Sequence, residues 1–126
     1  MKLFITVLKP IPKQKADKKA MEDYRELAKD TRNPYGAEAK YQVAQSLYDA
    51  KEYAAAEKEL LNYIEQSTPH AYWLARSFVL LSDVYHATGK DLDARQYLLS
   101  LQQNYQGNDD IESMIESRLS KLKVEN

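Results

Sequence analysis

The sequence contains an internal repeat in which equivalent residues lie 38 positions apart. Segment 41–47 (YQVAQSL) aligns with segment 79–85 (VLLSDVY), and the same shift carries Ala56 onto Ala94, Leu60 onto Leu98 and Tyr63 onto Leu101. Because the side chain of alanine is short, two helices can approach each other closely at Ala56 and at Ala94. A repeat of this length predicts paired helices that stack side by side into a curved ribbon.

Three patterns predict where helices begin. Asn33-Pro34 and Thr68-Pro69 each resemble an N-cap residue followed by proline at the first helical position. Asp109, with Glu112 three residues later, matches a capping box at the start of a last helix.

Proline and glycine predict where helices stop. Pro10 and Pro12 separate an apolar opening from the helices that follow, and Gly89 is the expected left-handed end of the most apolar helix. Apolar residues spaced at three and four then place helices within about 16–33, 34–51, 52–67, 70–88, 91–107 and 109–123. No internal segment predicts a strand, so the expected fold is all-α.

These boundaries divide the chain into an apolar and basic N-terminal extension over residues 1–15 and a helical domain over residues 16–126. The domain would contain a half repeat over 16–33, full repeats over 34–68 and 69–107, and a capping helix over 109–123. The last helix has a polar outer face, which is typical of the unit that ends a repeat array.

The repeat resembles the tetratricopeptide repeat (TPR) family. The matching residues of the second repeat are Phe78, Leu81, Ser82, Tyr85, Ala94, Leu98 and Leu101. Those of the first repeat are Val43, Ala44, Leu47, Tyr53, Ala56, Leu60 and Tyr63, whereas Lys40 departs from the family's tryptophan-like position. Ala20, Tyr24 and Leu27 match the second helix of a preceding unit whose first helix we expect to be missing.

The resemblance implies a right-handed α-solenoid of TPR-like helix hairpins closed by a C-terminal capping helix. The long repeats and the tyrosine-rich helices look like bacterial repeat proteins of cell-envelope assembly. Together with the half repeat, they predict the C-terminal part of a longer array.

In this family the first helix of each hairpin lines a concave groove that binds peptides or partner helices. Carried over position by position, the groove residues would be Glu38, Tyr41, Gln45, Tyr48, Asp49, Arg76, Val79, Asp83 and His86. Tyr41 and Tyr48 would either anchor a partner or pack between helices. Arg76 would be the lone cation among acids, which favours a neutral or mildly basic partner over a terminal carboxylate. We expect Trp73 to be a core residue rather than an anchor at the mouth of the groove.

Composition excludes several classes of function. Eighteen basic and nineteen acidic residues give a net charge of −1, which argues against nucleic-acid binding. The chain contains no cysteine, no glycine-rich phosphate loop and no nucleophile elbow. Asp83 and His86, three residues apart, could supply two metal ligands, but no third ligand accompanies them. We therefore predict a protein without catalytic activity, cofactor or metal; a small enzyme with a groove site around Asp83 and His86 is the alternative.

The apolar opening, Leu3 to Leu8, is shorter than a signal-peptide core and is not followed by a cleavage site. We expect it to cover the end left by the missing helix, within one chain or between two copies that self-associate. The nearby Lys9, Lys13, Lys15, Lys18 and Lys19 would be a solvated helix start, or else a contact for phosphate or an anionic membrane. No stretch approaches the roughly 20 apolar residues of a membrane span. The sequence does not distinguish the cytoplasm from the periplasm.

The sequence therefore predicts a protein–protein interaction module. The alternative is a structural segment at the C-terminal end of a longer repeat scaffold.

Overall fold

The computed structural model describes residues 13–66 and 68–122, with side chains from Lys18 onward. Six helices make up the described residues: α1 (Lys13–Leu27), α2 (Pro34–Asp49), α3 (Tyr53–Glu65), α4 (Ala71–Ala87), α5 (Asp91–Asn104) and α6 (Ile111–Leu119). These residues include no strand, and the all-α prediction is confirmed. The predictions for the apolar opening fall on residues 1–12, outside the described part, while α1 begins three residues before the expected boundary at residue 16.

Two of the predicted helix ends are confirmed. The Asn33 side chain accepts a hydrogen bond from the Tyr35 amide at 2.8 Å, and Pro34 opens α2. After α4, Gly89 has a φ of 80°, in the left-handed region that glycine adopts without steric cost.

The Thr68-Pro69 signal was wrong, because α4 begins at Ala71, with His70 at its N-cap position. The Thr68 hydroxyl donates instead to the Thr31 carbonyl at 2.9 Å and accepts from the His70 amide at 3.3 Å. The Thr68 hydroxyl therefore links the two loops and also accepts from an amide ahead of α4, but the helix itself begins one residue after that amide.

The capping box at Asp109 was also wrong. Helix α6 begins at Ile111, and the Asp109 Oδ1 atom accepts from the Ile111 amide at 3.0 Å. The other carboxylate oxygen of Asp109 accepts a hydrogen bond from the Tyr105 hydroxyl. Asp109 thus stabilises the bend between α5 and α6 rather than pairing with Glu112. All six helices end before their predicted boundaries, by the largest margins at α1, which ends at Leu27, and at α6, which ends at Leu119.

Helices α2 and α3 form one packed pair, and α4 and α5 form a second. Helix α4 also contacts α2 and α3, while α1 packs on α2 and α6 packs on α4 and α5. Ala56 and Ala94 are both 0% exposed, which confirms that the two short side chains lie inside the packing. The first core cluster extends from Tyr41 and Leu47 to Tyr85 and Ala94, joining both pairs.

The turn that closes each pair has the same geometry. Lys51 has a φ of 62° and Gly89, 38 residues later, a φ of 80°. The Glu52 amide bonds to the Leu47 carbonyl at 2.9 Å, and the equivalent Lys90 amide bonds to the Tyr85 carbonyl at 2.7 Å. This six-to-one bond, with a left-handed residue before its donor, is the Schellman end of a helix. The two helix pairs thus share the backbone geometry of their turns as well as a buried alanine at equivalent positions.

Two loops at the starts of α2 and α4 are tied together. Thr31 is 5% exposed, and its hydroxyl donates to the Gln66 side chain at 2.6 Å. The His70 Nε2 atom lies 2.6 Å from the Arg32 carbonyl, beside the bond between Thr68 and Thr31. These contacts between the α1–α2 and α3–α4 connections fix the starts of α2 and α4 side by side.

Candidate functional site

The nine predicted groove residues lie on two neighbouring helices. Five of them are on α2 and four on α4, and the structure places these helices in contact. Tyr41 and Arg76 meet directly, because the Arg76 Nη2 atom donates to the Tyr41 hydroxyl at 3.0 Å. We call the surface that α2, α4 and the adjoining α6 form here the inner face.

Arg76 lies among three aromatic rings of the inner face. Its guanidinium carbon is 4.8 Å from the centroid of Tyr41 and 5.8 Å from those of Tyr72 and Trp73. The Nη1 atom of Arg76 donates to the Tyr72 hydroxyl at 3.0 Å. Both terminal nitrogens are therefore engaged, and the cation stacks on aromatic faces as a planar guanidinium prefers. Arg76 ties α4 to α2 and is not a free cation awaiting a ligand.

A chain of hydrogen bonds leads outward from Arg76. The Tyr41 hydroxyl donates to Gln45 at 2.8 Å, and the Gln45 amide donates to Asp49 at 2.9 Å. In the other direction, the Tyr72 hydroxyl donates to Asp110 at 3.0 Å, at the start of α6. The chain thus crosses all three helices of the inner face. Burial raises the pKa of Tyr41 and the Arg76 cation opposes it, so the phenol stays protonated and can donate at neutral pH.

Two predicted contact residues are buried. Val79 is 3% exposed within the core of α4, α5 and α6, and Tyr41 is 5% exposed. Tyr41 therefore packs between helices, which was one of the two alternatives for this residue, and both side chains expose little surface to a partner. Trp73, predicted as a core residue, is half-buried; it packs against the core cluster and makes an edge contact with Tyr72 at 5.1 Å.

Asp83 has a cationic partner that the sequence analysis missed. Its two carboxylate oxygens lie 3.3 and 3.4 Å from Nε and Nη2 of Arg118, on α6. Burial raises the pKa of Asp83, and the Arg118 charge opposes that rise. Arg76 is therefore not the lone cation of this face. The sequence does contain a spacing that relates the two contacts: Arg118 follows Asp83 by 35 residues, as Arg76 follows Tyr41.

The Asp83–His86 pair points to two different partners. The Nδ1 atom of His86 lies 2.9 Å from Asp91, at the start of α5, whereas Asp83 faces Arg118. Across the described residues, no group of three or more His, Cys, Asp or Glu side chains is arranged to hold a metal ion.

The accessible part of the inner face lies towards the ends of α2 and α4. Asp49 and His86 are exposed there, while Glu38, Gln45, Tyr48 and Asp83 are half-buried. The Tyr48 ring packs against Tyr53 with centroids 5.6 Å apart. Its pKa is raised by burial and then by the nearby Asp83 carboxylate, so its hydroxyl remains a hydrogen-bond donor. An aromatic ring with a donor hydroxyl, bordered by carboxylates, can contact an apolar side chain and a neighbouring cation.

No helix of the described chain is both long and apolar enough to cross a membrane. Comparison with protein-family models, with curated proteins and with solved structures finds no match.

Proposed function

We propose that the chain is a non-catalytic protein-interaction module, a right-handed solenoid of TPR-like helix hairpins that binds a peptide or partner helix along its inner face. The observation that carries this proposal is the equivalence of the two helix pairs. Each has a fully buried alanine at the same position and closes through the same left-handed turn. Such equivalence supports stacking by a repeated operation, which generates an extended concave surface of the kind that repeat proteins use for binding.

Tyr48 is the proposed anchor of that surface. It is half-buried, and it belongs neither to the aromatic rings around Arg76 nor to the Asp83–Arg118 ion pair. Its ring can bury area against a partner with few rotamers to lose. Asp49, which is exposed, and Glu38 add negative charge on the same helix. We therefore propose a partner segment with an apolar side chain for Tyr48 and a neutral or mildly basic flank.

Site-specific photo-crosslinking tests the proposal. Benzoylphenylalanine replaces Tyr48 in one variant and Leu92, an apolar residue 59% exposed on α5, in the control. In lysate from native cells, the Tyr48 position should give a saturable crosslinked band that excess wild-type protein competes away and excess Tyr48→Ala protein does not. Equal bands at both positions, or no competition, would contradict binding on the inner face.

The alternative function is a structural segment that ends a longer scaffold, of the kind found in cell-envelope assembly. One observation favours it: α6 buries Ile111 and Ile115 while Glu112, Ser113, Glu116 and Ser117 are exposed. This is the polarity expected of a unit that closes an array. If neither position gives a crosslinked band that excess wild-type protein competes away, the result would favour this alternative.

A further inference from the structure

A cleft of about 330 Å³ lies where α1, α2 and α3 meet. Helix α1 contributes Arg25 and Lys29 to its lining, α2 contributes Lys40 and Val43, and α3 contributes Glu59. Of the lining residues that the structure describes, three are therefore cations and one is a carboxylate. The cleft shares no residue with the predicted groove of α2 and α4, so it is a second surface that can be tested separately.

Two of these charged residues stand where the second helix pair has aromatic rings. A shift of 38 residues carries Lys40 onto Phe78 and Glu59 onto Tyr97. The two rings meet edge to face at 5.7 Å, whereas the Lys40 Nζ atom lies 2.8 Å from a Glu59 carboxylate oxygen. Because charges lose solvation on burial, a largely buried ion pair rarely stabilises a fold more than packed apolar side chains do. Stability therefore does not account for the charges.

The helix that packs on each pair differs in the same way. Helix α1 packs on α2 as α3 packs on α4, and Ala20 of α1 is equivalent to Ala56 of α3, 36 residues later. The same shift carries Arg25 onto Leu61, which is half-buried and packs against the first core cluster. Positions 25, 40 and 59 are thus all charged, while their equivalents in the next unit are all apolar.

The two cations of α1 are loosely held. The Arg25 side chain is 52% exposed, and its Nη1 atom lies 3.9 Å from Glu59, which is too far for a hydrogen bond. Lys29 is 73% exposed and donates at 2.9 Å to Glu26, one turn earlier on the same helix. Since exposed ion pairs contribute little to stability, both cations can turn to another anion at small cost.

We propose that this cleft binds a carboxylate side chain of a partner protein, held by Arg25 and Lys29 beside the positive charge of Lys40. Charge complementarity identifies the occupant, because these three cations, set against Glu59 and the neighbouring Glu26, leave one positive charge for one carboxylate to neutralise. A guanidinium holds a carboxylate through two parallel N–H···O hydrogen bonds. Lys40 contributes charge rather than a new contact, since Glu59 already engages its Nζ atom.

Methyl NMR spectroscopy tests the inference, because Ala28 and Val43 line the cleft and carry methyl groups. The probe is an acetylated, amidated alanine–glutamate–alanine peptide, and its control is the same peptide with glutamine in place of glutamate. The glutamate peptide should shift both methyl signals in a saturable manner, and the glutamine peptide should not. Equal shifts with the two peptides would overturn the inference. Larger shifts with inorganic phosphate than with the glutamate peptide would overturn the choice of a carboxylate.

Single charge-neutralising variants locate the binding. Arg25→Gln and Lys29→Gln, both at exposed positions, should each weaken binding of the glutamate peptide about fivefold, as expected for loss of one contact between exposed charges. Lys58→Gln is the matched control, since Lys58 is exposed on α3 and lies outside the described lining. It should leave the affinity unchanged. Equal weakening by all three would show that net charge attracts the peptide, and would overturn the inference.

The aromatic pair of the second repeat provides an independent test. The double variant Lys40→Phe/Glu59→Tyr should melt no lower than wild type, because the equivalent Phe78 and Tyr97 pack in the same place without charge. Thermal denaturation measures the difference. A lower melting temperature would mean that the ion pair serves stability, which would remove the reason for assigning these charges to a partner and overturn the inference.

Discussion

The two helix pairs have the same backbone plan but different chemistry at equivalent positions. In the α2–α3 pair, Lys40 and Glu59 form an ion pair at 2.8 Å, with 12% and 25% of their side chains exposed. In the α4–α5 pair, the residues 38 positions later are Phe78 and Tyr97, whose rings meet edge to face at 5.7 Å. Lys40, which departs from the pattern that the family resemblance implies, is thus paired with an acid across the helix interface. The comparison indicates that the two helix pairs share a short buried side chain and a turn, while the contacts beside them differ.

The largest effect on stability is expected at the buried alanine that both helix pairs have at the equivalent position. Ala56→Leu and Ala94→Leu should each lower the free energy of unfolding by about 1–3 kcal/mol, because the larger side chain has no room in a packed interface. Ala55→Leu, at an exposed position of the same helix α3, is the matched control and should be close to neutral. Chemical denaturation measures all three. A neutral result at Ala56 or Ala94 would mean that the short side chain does not set the helix spacing.

The turns provide the next test, because they share a geometry but differ in residue. A side chain in the left-handed region costs roughly 1 kcal/mol relative to glycine. Lys51→Gly should therefore raise the melting temperature of the protein, and Gly89→Lys should lower it by a comparable amount. A Cβ atom at Gly89 would meet no atom within 4 Å, so the loss would arise from backbone conformation alone. If both substitutions changed the melting temperature in the same direction, the two turns would not be equivalent.

The features that could be predicted from the sequence are local or periodic. The six helices follow from apolar spacing, the start of α2 from Asn33-Pro34, and the end of α4 from Gly89. The first residues of α4 and α6 were not predicted: Thr68 and Asp109 each accept a hydrogen bond from the amide two residues later, but the helices begin only at Ala71 and Ile111. The Thr68 hydroxyl also donates to the Thr31 carbonyl, 37 residues away, and a local capping signal cannot reveal such a contact.

For the candidate site, the positions carried over from the family resemblance fall on two helices that the structure brings into contact. They do not predict which of the side chains are buried or paired. Arg76 would be an exposed cation if α4 were considered alone. In the fold, Arg76 donates hydrogen bonds to Tyr41, 35 residues away in the sequence, and to Tyr72, one helical turn before it. Replacing Arg76 would therefore test the packing of α2 against α4 as well as binding, and Tyr48 is the cleaner position from which to probe a partner.

The smallest expected effect concerns the pH dependence of stability, in which the two arginine contacts of the inner face should differ. Arg76 binds a neutral phenol across α2 and α4, whereas Arg118 binds the Asp83 carboxylate across α4 and α6. Burial raises the pKa of Asp83 above its ordinary 3.8, so between that value and the folded-state pKa the native protein binds more protons than the unfolded chain. The contribution of Asp83 to stability must then fall as the pH rises through this window. The unfolding free energy of wild type minus that of Asp83→Asn, measured from pH 3 upward (about one unit below the ordinary value), should therefore fall as the pH rises. A difference that rises with pH would mean that the Arg118 charge outweighs burial, and that α6 is fastened to α4 by the ion pair rather than by Ile111 and Ile115.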